Sequence, residues 1–298
     1  MKKKIAILGS TGSIGQTTFD ILKNDKKNFD IELLTTHENT NILIKQAKIF
    51  NVKNLIITNR EKYIYFKKIH KKKYRIYNNF ECFNKIFKSK KIDYVMSSIS
   101  GFNGLDPTLK IIKFTNTIAI ANKEAIICGW NLINKHLKRY NSKFIPVDSE
   151  HFSIWSLIKD KKIKDIEKIY ITASGGPFTK LPLNKFKSIL PEDALNHPTW
   201  TMGKKISIDS ATMMNKVFEI IEAKKIFDLQ YKNIEILIHP KSYIHAIIKF
   251  KSGLTKILLH DTTMTIPIFN SLYENSNNEI KTKEIDFNIL NDLKLTKV

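Results

Sequence analysis

The sequence predicts an α/β protein in which a parallel-sheet domain is followed by an α+β domain. Three observations support this fold class. Short apolar segments alternate with helix-period segments through residues 5–147, a glycine-rich turn at residues 9–15 follows the first apolar segment, and the apolar segments come closer together after residue 148. Alternating strands and helices favour a doubly wound parallel sheet, whereas strands in close succession favour antiparallel pairing.

The first apolar segment, residues 5–9, is too short for the core of a signal peptide and runs directly into glycine turns, which favours a buried strand. The strands predicted after it in the first domain are residues 31–35, 55–58, 94–99, 117–121 and 144–147. The helices predicted between strands are residues 17–23, 41–50, 105–114 and 126–140.

The second domain is predicted to contain strands at residues 168–172, 235–238, 244–250 and 254–259, with a helix at residues 211–227. The close run of its last three strands predicts antiparallel pairing. We expect a Rossmann-like domain at residues 1–147, a catalytic and dimerisation domain at 148–275 and a linker or tail at 276–298.

The composition favours a globular protein of the reduced cytoplasm. A chain of 298 residues with 42% hydrophobic content allows about two domains. Its apolar stretches are too short to span a bilayer, so no membrane partner is expected. Cys82 and Cys128 lie far apart in the sequence, which argues against a disulfide scaffold or a zinc cluster.

A formal net charge of +22 raises the possibility of nucleic-acid binding. The basic residues, however, are scattered among Asn and Ile along the whole chain. We interpret the enrichment in Lys, Asn and Ile as a general compositional bias at surface positions that tolerate substitution. No specific nucleic-acid partner is predicted, although a weak, salt-sensitive attraction is compatible with the charge.

The glycine turn lies at the first βα junction, where open α/β sheets bind dinucleotides. Gly9, Gly12 and Gly15 allow backbone N–H groups to approach phosphate oxygens, and a helix N-terminus favours negative charge. The alternative is an ordinary turn of an α/β protein. The glycine spacing differs from the commonest dinucleotide fingerprint, and by itself it does not separate NAD(H) from NADP(H).

Acidic residues in two distant segments predict a metal site. Asp148 and Glu150 are two apart, so both carboxylates would leave the same side of an extended strand end. Glu219 lies four residues after Asn215, on one face of a predicted helix whose N-terminus would be near Ser210. Three converging carboxylates suit Mg²⁺ or Mn²⁺, and a helix start suits a phosphate. Solvated surface acids are the alternative.

Three further residues have both a structural and a functional interpretation. Asn122 either caps a helix or lies in a ligand site at the end of a strand, while its neighbour Lys123 could reach a substrate hydroxyl. Trp200 is either a core anchor or part of a mobile lid, and the sequence alone favours the core.

Several segments together resemble the 1-deoxy-D-xylulose-5-phosphate reductoisomerase family. The matching segments are residues 7–15, 121–124, 146–151, 174–178, 197–198, 200, 202–207, 209–216 and 239–240. They follow the order of the family across most of the chain, so the resemblance is highly specific.

The resemblance implies roles for individual residues. The implied metal ligands are Asp148, Glu150 and Glu219. The implied catalytic residues are Lys123, Asp148, Glu150, Glu219 and His197. The implied substrate-binding residues are Lys123, Ser149, Glu150, Ser174, His197, Ser210, Asn215, Lys216 and Glu219. The implied NADPH-binding residues are Thr11, Gly12, Ser13, Ile14, His37, Asn39, Asn122, Glu124 and Gly203. Trp200 would belong to a flap that closes over the substrate.

The activity implied by the resemblance has two stages and belongs to non-mevalonate isoprenoid biosynthesis. A divalent cation promotes a retro-aldol/aldol rearrangement of a phosphorylated substrate. NADPH then reduces the branched aldehyde to 2-C-methyl-D-erythritol 4-phosphate. The resemblance also implies a homodimer.

The chain departs from the family pattern at three places. Residues 37–39 replace a Gly-Lys-Asn-like stretch near the adenosine phosphate. Glu38 predicts either a weakened preference for NADPH over NADH, or compensation of its charge by a nearby Lys or by protonated His37. Residues 259–265 lack the usual Gly and Arg. The family's C-terminal helical domain is expected to be absent, with activity retained because each implied ligand is present.

Two other functions compete with this prediction. A different NAD(P)-dependent dehydrogenase, for an aspartate-derived or homoserine-like substrate, would need neither the three metal-binding carboxylates nor a phosphate-binding helix with Ser, Asn and Lys. A truncated family member with little activity, acting as a basic binding protein, would bind polyanions with steep salt dependence and would not oxidise NADPH.

Overall fold

The computed structural model describes residues 2–88, 90–179, 181–196, 199–200, 203–274 and 276–297. Contacts within the chain define two compact units. The first contains Met1–Asp148 and Ile268–Ser276, and the second contains Ser149–Pro267 and Asn277–Val298. Residues 268–275 were predicted to belong to the second domain, whereas their contacts place them in the first unit.

The first unit is built on a seven-stranded sheet in which all the described strand pairs are parallel. Its strands are β1 Lys3–Leu8, β2 Phe29–Thr36, β3 Asn54–Ile57, β4 Arg75–Tyr77, β5 Ile92–Ser97, β6 Thr115–Ile120 and β7 Lys143–Pro146. The strand order is β4-β3-β2-β1-β5-β6-β7, so the winding direction reverses between β1 and β5. The short edge strand β4 was missed in the sequence, where only three residues carry its pattern.

The helices of the first unit connect these strands. They are α1 Ser13–Asn24, α2 Thr40–Phe50, α3 Arg60–His70, α4 Phe83–Phe87, α5 Leu105–Ile112 and α6 Lys123–Tyr140. Asparagine precedes α2, α3 and α6, and the side chains of Asn39, Asn59 and Asn122 each accept a hydrogen bond from a backbone N–H of the first turn. These caps satisfy donors that the helix itself leaves unpaired.

Residues 268–276 join the first unit through polar contacts as well as packing. The hydroxyl of Ser271, in helix α11 (Thr265–Leu272), lies 2.7 Å from the hydroxyl of the fully buried Tyr94. The Tyr273 hydroxyl donates to Asp25 at 2.7 Å. Because buried hydroxyls need partners, these pairs help fix the segment in place.

The second unit contains a five-stranded mixed sheet of order β11-β10-β8-β9-β12 among its described residues. Its strands are β8 Ile166–Ala173, β9 Ile234–Ile238, β10 Ile244–Phe250, β11 Thr255–Leu259 and β12 Thr296–Lys297. The prediction that the last three strands pair antiparallel was wrong for β9. Strand β9 runs parallel to β8, whereas β10 pairs antiparallel with β8 on its other side. The short distance in sequence between β9 and β10 favoured a hairpin of these two strands, but each of them pairs with a different edge of β8.

The helices of the second unit are α7 Ser149–Leu157, α8 Pro191–Leu195, α9 Lys204–Ala211, α10 Met214–Phe227 and α12 Phe287–Asn291. Short 3₁₀ helices occur at Phe80–Cys82, Phe102–Gly104, Ile163–Asp165, Leu183–Ser188 and Tyr231–Asn233. Helices α7 and α10 contribute Ile154, Ala223 and Phe227 to the apolar core beneath β8 and β10.

Two local predictions near the candidate site were wrong. Strand β7 ends at Pro146 and Ser149 begins α7, so Asp148 and Glu150 do not share an extended strand end. The helix predicted at residues 211–227 begins at Met214, and Ser210 lies in the last turn of α9. Met213 separates the two helices because its backbone is left-handed (φ 60°). The residues around it favour a helix, so this break was not visible in the sequence.

The predicted fold class, a parallel α/β domain with an α+β domain, is confirmed. None of the helices in the described part of the chain has the length and apolar character needed to cross a membrane. Cys82 and Cys128 are both free thiols.

Candidate active site

The glycine turn of the first unit joins β1 to α1, at the point where the strand order reverses. Gly9 has φ +81°, and a Cβ there would lie 2.9 Å from the Ser98 carbonyl oxygen. A Cβ on Gly15 would overlap the carbonyl of Gly9, whereas a Cβ on Gly12 would meet no atom closer than 3.5 Å. The fold therefore requires glycine at two of the three positions, and Gly12 borders open space.

Helix α1 differs from the asparagine-capped helices of the same unit. Its N-cap residue is Gly12, and no side chain caps it. Among the described residues, its first backbone N–H groups therefore have no intrahelical or side-chain acceptor and remain available as hydrogen-bond donors. The residues around them are exposed (Ser13) or partly exposed (Thr11 and Ile14). This arrangement suits an anionic oxygen such as that of a pyrophosphate.

The segment after β2 is tied to the glycine turn by hydroxyl contacts. The hydroxyl of Thr36 lies 2.7 Å from that of Thr11 and accepts the Asn39 N–H at 3.2 Å. His37 contacts the Thr58 hydroxyl at 2.9 Å, and Glu38 is exposed. Glu38 therefore follows, two positions later in the chain, a residue that contacts the turn.

Asn122 performs the structural role that was its alternative interpretation. Its amide donates to the carbonyls of Ile99 and Gly101, and its oxygen accepts the Ala125 N–H at 3.0 Å. The next residue, Lys123, is largely buried, and its ammonium lies 2.7 Å from the Asp148 carboxylate. The Lys123–Asp148 ion pair therefore lies in the first unit, at the carboxyl end of its parallel sheet. Glu124 is partly buried beside them.

In the second unit, Lys216 is the centre of a buried charged cluster. Its ammonium contacts Glu150 Oε1 at 2.7 Å, Glu219 Oε2 at 2.5 Å and the carbonyl of Thr172 at 2.6 Å. The Glu219 side chain is 1% exposed and that of Lys216 is 7% exposed. Burial lowers the pKa of Lys216, but the negative charges of Glu150 and Glu219 outweigh burial and raise it overall.

The two remaining carboxylate oxygens of this cluster also have donors. The Ser149 hydroxyl donates to Glu150 Oε2 at 2.5 Å, and the Asn215 amide donates to Glu219 Oε1 at 2.5 Å. All four oxygens of Glu150 and Glu219 therefore accept a hydrogen bond, which holds both carboxylates in defined orientations. We refer to Ser149, Glu150, Asn215, Lys216 and Glu219 as the carboxylate–lysine cluster.

A buried histidine connects the two helices that carry this cluster. The His151 side chain is fully buried, and its Nε2 lies 2.9 Å from the backbone carbonyl of Glu219. Its Nδ1 lies 3.3 Å from Glu222, which is 1% exposed. Neither residue was predicted from the sequence to have a role in the site. The spacing of three between Glu219 and Glu222, which places both on one face of α10, was the available signal for Glu222.

The other predicted substrate residues lie on the loop after β8 and on α9. The Ser174 hydroxyl accepts the Gly176 N–H at 3.2 Å. Gly176 has φ +69°, and a Cβ there would lie 2.8 Å from the Ser210 carbonyl, so only glycine allows this close approach. Ser174 and Ser210 are thus carried by segments that contact each other, and both are partly buried.

The predicted flap is described only in part. Trp200 is partly buried, with its ring centroid 6.1 Å from that of His245 in an edge-on arrangement. Gly203 is exposed at the start of α9, and a Cβ there would meet no atom of the described residues within 4 Å. His197 lies outside the described residues, so its predicted catalytic role stays a prediction.

Comparison with known proteins decides the family. Models of the 1-deoxy-D-xylulose 5-phosphate reductoisomerase and of its C-terminal domain match residues 5–129 and 144–227, respectively. The reductoisomerase of Pelagibacter ubique is 64% identical over 298 residues, which cover 99% of this chain and 77% of that protein. The chain belongs to the 1-deoxy-D-xylulose 5-phosphate reductoisomerase family. The predicted family and enzyme class are therefore confirmed.

Solved reductoisomerase structures have the same fold. That of Zymomonas mobilis, in complex with NADPH, matches with a TM-score of 0.90 at 30% identity, covering 100% of this chain and 77% of that one. A reductoisomerase in complex with NADPH, fosmidomycin and magnesium matches with a TM-score of 0.91 at 30% identity, covering 99% and 76%. A homoserine dehydrogenase matches with a TM-score of 0.54 at 12% identity, which shows a related fold alone.

Proposed function

We propose that this chain catalyses the rearrangement and NADPH-dependent reduction of 1-deoxy-D-xylulose 5-phosphate to 2-C-methyl-D-erythritol 4-phosphate. Family membership supports the reaction, and the carboxylate–lysine cluster is the observation that carries the assignment. The buried Glu219 and the partly buried Glu150, held in fixed orientations beside Lys216 and Asn215, combine a hard-oxygen donor set with cationic and amide donors for a phosphate. A homoserine-type dehydrogenase would need neither group.

The donor chemistry of the cluster fits a divalent cation. Glu150 and Glu219 supply oxygens from α7 and α10, and each is already oriented by a neighbouring donor. Asp148 is two residues before Glu150, so chain connectivity keeps their Cα atoms within about 7 Å. We assign these three residues as the metal ligands. When bound, the cation acts as a Lewis acid on the substrate carbonyl and hydroxyl oxygens.

We assign the phosphate end of the substrate to Ser174, Ser210, Asn215 and Lys216, with His197 as a predicted neighbour. Lys216 supplies a positive charge, and the hydroxyl and amide groups supply directional donors. Holding the phosphate away from the reacting carbons orients the substrate. Lys123 and Ser149, with Glu150, are assigned to the hydroxyl groups of the substrate, where Lys123 is positioned by Asp148.

We assign NADPH to the glycine turn of the first unit, with Thr11, Gly12, Ser13 and Ile14 at the pyrophosphate. His37, Asn39, Asn122, Glu124 and Gly203 complete the predicted set; the side chain of Asn122 is occupied by capping, so its contribution would come from its backbone. Solved reductoisomerases bind NADPH and magnesium. The predicted cofactors are confirmed at the level of the family.

The test is NADPH oxidation with 1-deoxy-D-xylulose 5-phosphate, with and without Mg²⁺ or Mn²⁺. We expect activity to require the cation and Glu219→Gln to lower kcat by about 1,000-fold, because it removes a charge that the cation requires. Glu167→Gln is the matched control, since Glu167 pairs with Lys249 at a half-exposed position. Equal loss in both variants, or full activity of Glu219→Gln, would contradict the assignment.

Two further proposals follow from the resemblance and from the composition. We propose a homodimer, which light scattering on the purified chain tests directly. We also propose a reducing, cytoplasmic compartment, consistent with two thiols that do not pair. A monomer at micromolar concentration would contradict the first of these proposals.

A further inference from the structure

The ammonium of Lys216 has no donor left for a substrate. A lysine ammonium carries three N–H donors, and those of Lys216 are taken by Glu150, Glu219 and the Thr172 carbonyl. Asn215, the neighbouring member of the proposed phosphate set, donates to Glu219. A phosphate can therefore gain Lys216 only if the ammonium first leaves at least one of these acceptors.

The same carboxylates are the proposed metal ligands. A divalent cation bound to Glu150 and Glu219 would lie about 2.0–2.6 Å from their oxygens. The Lys216 ammonium lies at 2.7 and 2.5 Å from an oxygen of each. Two positive groups that share the carboxylates of Glu150 and Glu219 repel each other strongly at such short separation. The contacts of Lys216 and binding of the cation therefore oppose each other electrostatically.

We propose that Lys216 is an internal cation that competes with the divalent metal for Glu150 and Glu219, and that the metal releases it to the substrate phosphate. This inference rests on the proposed function. Its consequence is a coupling between two ligands. The metal frees the donors that the phosphate needs, and the phosphate holds Lys216 away from the carboxylates that the metal needs. By linkage, each ligand raises the affinity for the other by the same factor.

The flexibility of lysine makes the exchange possible. Its four-carbon side chain can redirect the ammonium without a change in the helix backbone. The buried carboxylates are never left without a positive partner, because one cation replaces the other. An uncompensated pair of buried carboxylates would be strongly unfavourable.

The first experiment measures Mn²⁺ binding from the paramagnetic resonance signal of free Mn²⁺, without substrate or NADPH. We expect Lys216→Met and Lys216→Gln to bind Mn²⁺ about tenfold more tightly than the wild type, because the competing cation is gone. Gln keeps an amide donor for the carboxylates and limits the structural disturbance. The matched control is Lys249→Met, which removes one positive charge from an exposed pair and should change the Kd by less than about twofold.

The second experiment adds ethyl phosphate, which carries no carbonyl or hydroxyl to chelate the metal. We expect saturating ethyl phosphate to tighten Mn²⁺ binding by about tenfold in the wild type and to have no effect in the Lys216 variants. Association of Mn²⁺ with ethyl phosphate in buffer is measured separately and subtracted. If neither Lys216 variant retains the wild-type circular dichroism spectrum, the wild type alone tests the proposal: ethyl phosphate either tightens its Mn²⁺ binding, as expected, or does not, which would overturn the proposal.

The outcomes separate this inference from the proposed function. Mn²⁺ binding that is lost in Glu219→Gln but unchanged or weakened in the Lys216 variants overturns the competition while leaving the metal site intact. Absence of coupling in the wild type, or coupling that persists in the variants, overturns it as well. Mn²⁺ binding that does not respond to Glu219→Gln instead overturns the proposed metal site.

Discussion

The glycine turn of the first unit and the carboxylate–lysine cluster of the second are two differently built candidate binding sites. The turn offers backbone N–H groups at the uncapped start of α1, and it carries no charged side chain of its own. The cluster is made of side chains from α7 and α10 and a carbonyl of β8, and its Lys216 and Glu219 charges are buried. A site made of backbone groups is disturbed when a substitution adds a Cβ where no space exists. A site made of side chains is disturbed when a substitution removes one of the interacting partners.

This difference predicts where each site is vulnerable. In the turn, most side chains can change, provided that the glycines required by packing are kept. In the cluster, removal of one partner leaves a buried group without compensation, which is costly in a medium of low polarity.

Among the variants that compare the two sites in stability and cofactor binding, Gly15→Ala is expected to have the largest effect. The added Cβ would overlap the Gly9 carbonyl and the Ser10 backbone, so the turn must deform. We expect a loss of about 3 kcal/mol in the free energy of unfolding and at least about 100-fold weaker NADPH binding. Urea unfolding and fluorescence titration measure the two quantities.

Gly12→Ala is the matched variant in the same turn. Its Cβ meets no atom closer than 3.5 Å, so the stability should stay within about 0.5 kcal/mol of the wild type. NADPH binding should still weaken by about tenfold, because the methyl group occupies the approach of a phosphate to the backbone. Unchanged NADPH affinity would argue against a backbone site at this turn.

The next effect concerns Glu222→Gln in the second unit. The substitution keeps the shape but removes the charge facing His151, which positions the Glu219 backbone. We expect a loss of about 2 kcal/mol in stability and a lower kcat with little change in KM for the substrate. Glu222→Asp, which restores the charge, should recover part of kcat. A variant that is destabilised but has normal kcat would show that His151 and Glu222 serve only packing.

A smaller effect is expected for Glu38→Lys, at the exposed segment after β2. Replacing a negative by a positive charge near the adenosine end should favour the 2′-phosphate of NADPH. We expect the ratio of kcat/KM for NADPH over NADH to rise by about tenfold. The increase should diminish at high salt. An unchanged ratio would place the 2′-phosphate away from Glu38, and the predicted weakening of NADPH preference would then be wrong.

The smallest effect is an acid destabilisation that originates in the second unit. Burial lowers the pKa of His245 and His260, whose rings stack with centroids 3.7 Å apart. Because the unfolded chain takes up these protons first, the free energy of unfolding should fall as the pH drops below about 6.5. We expect a change on the order of 1 kcal/mol between about pH 7.5 and 5.5, measured by urea unfolding. His260→Gln should make this pH dependence shallower; an unchanged slope would assign it to other groups.

Local patterns in the sequence determined the alternating strands and helices of the first unit, the glycine turn and the residue types of the site. These features depend on neighbours within a few positions, such as Gly9, Gly12 and Gly15 around one turn. The helix break at Met213 was not predictable in this way, because its left-handed backbone conflicts with local propensity.

Tertiary structure alone decided which partners these residues found. Lys216 binds Glu150 across 66 positions of the chain, and His151 reaches the Glu219 carbonyl across 68. Strand β9 joined β8 rather than the adjacent β10, and residues 268–276 joined the first unit. Side-chain type specifies what a group can bind, but the packing of α7 and α10 on one sheet determines which group lies within reach. That packing depends on burial of apolar side chains from several elements of the second unit, so it cannot be predicted from the sequence of any one segment.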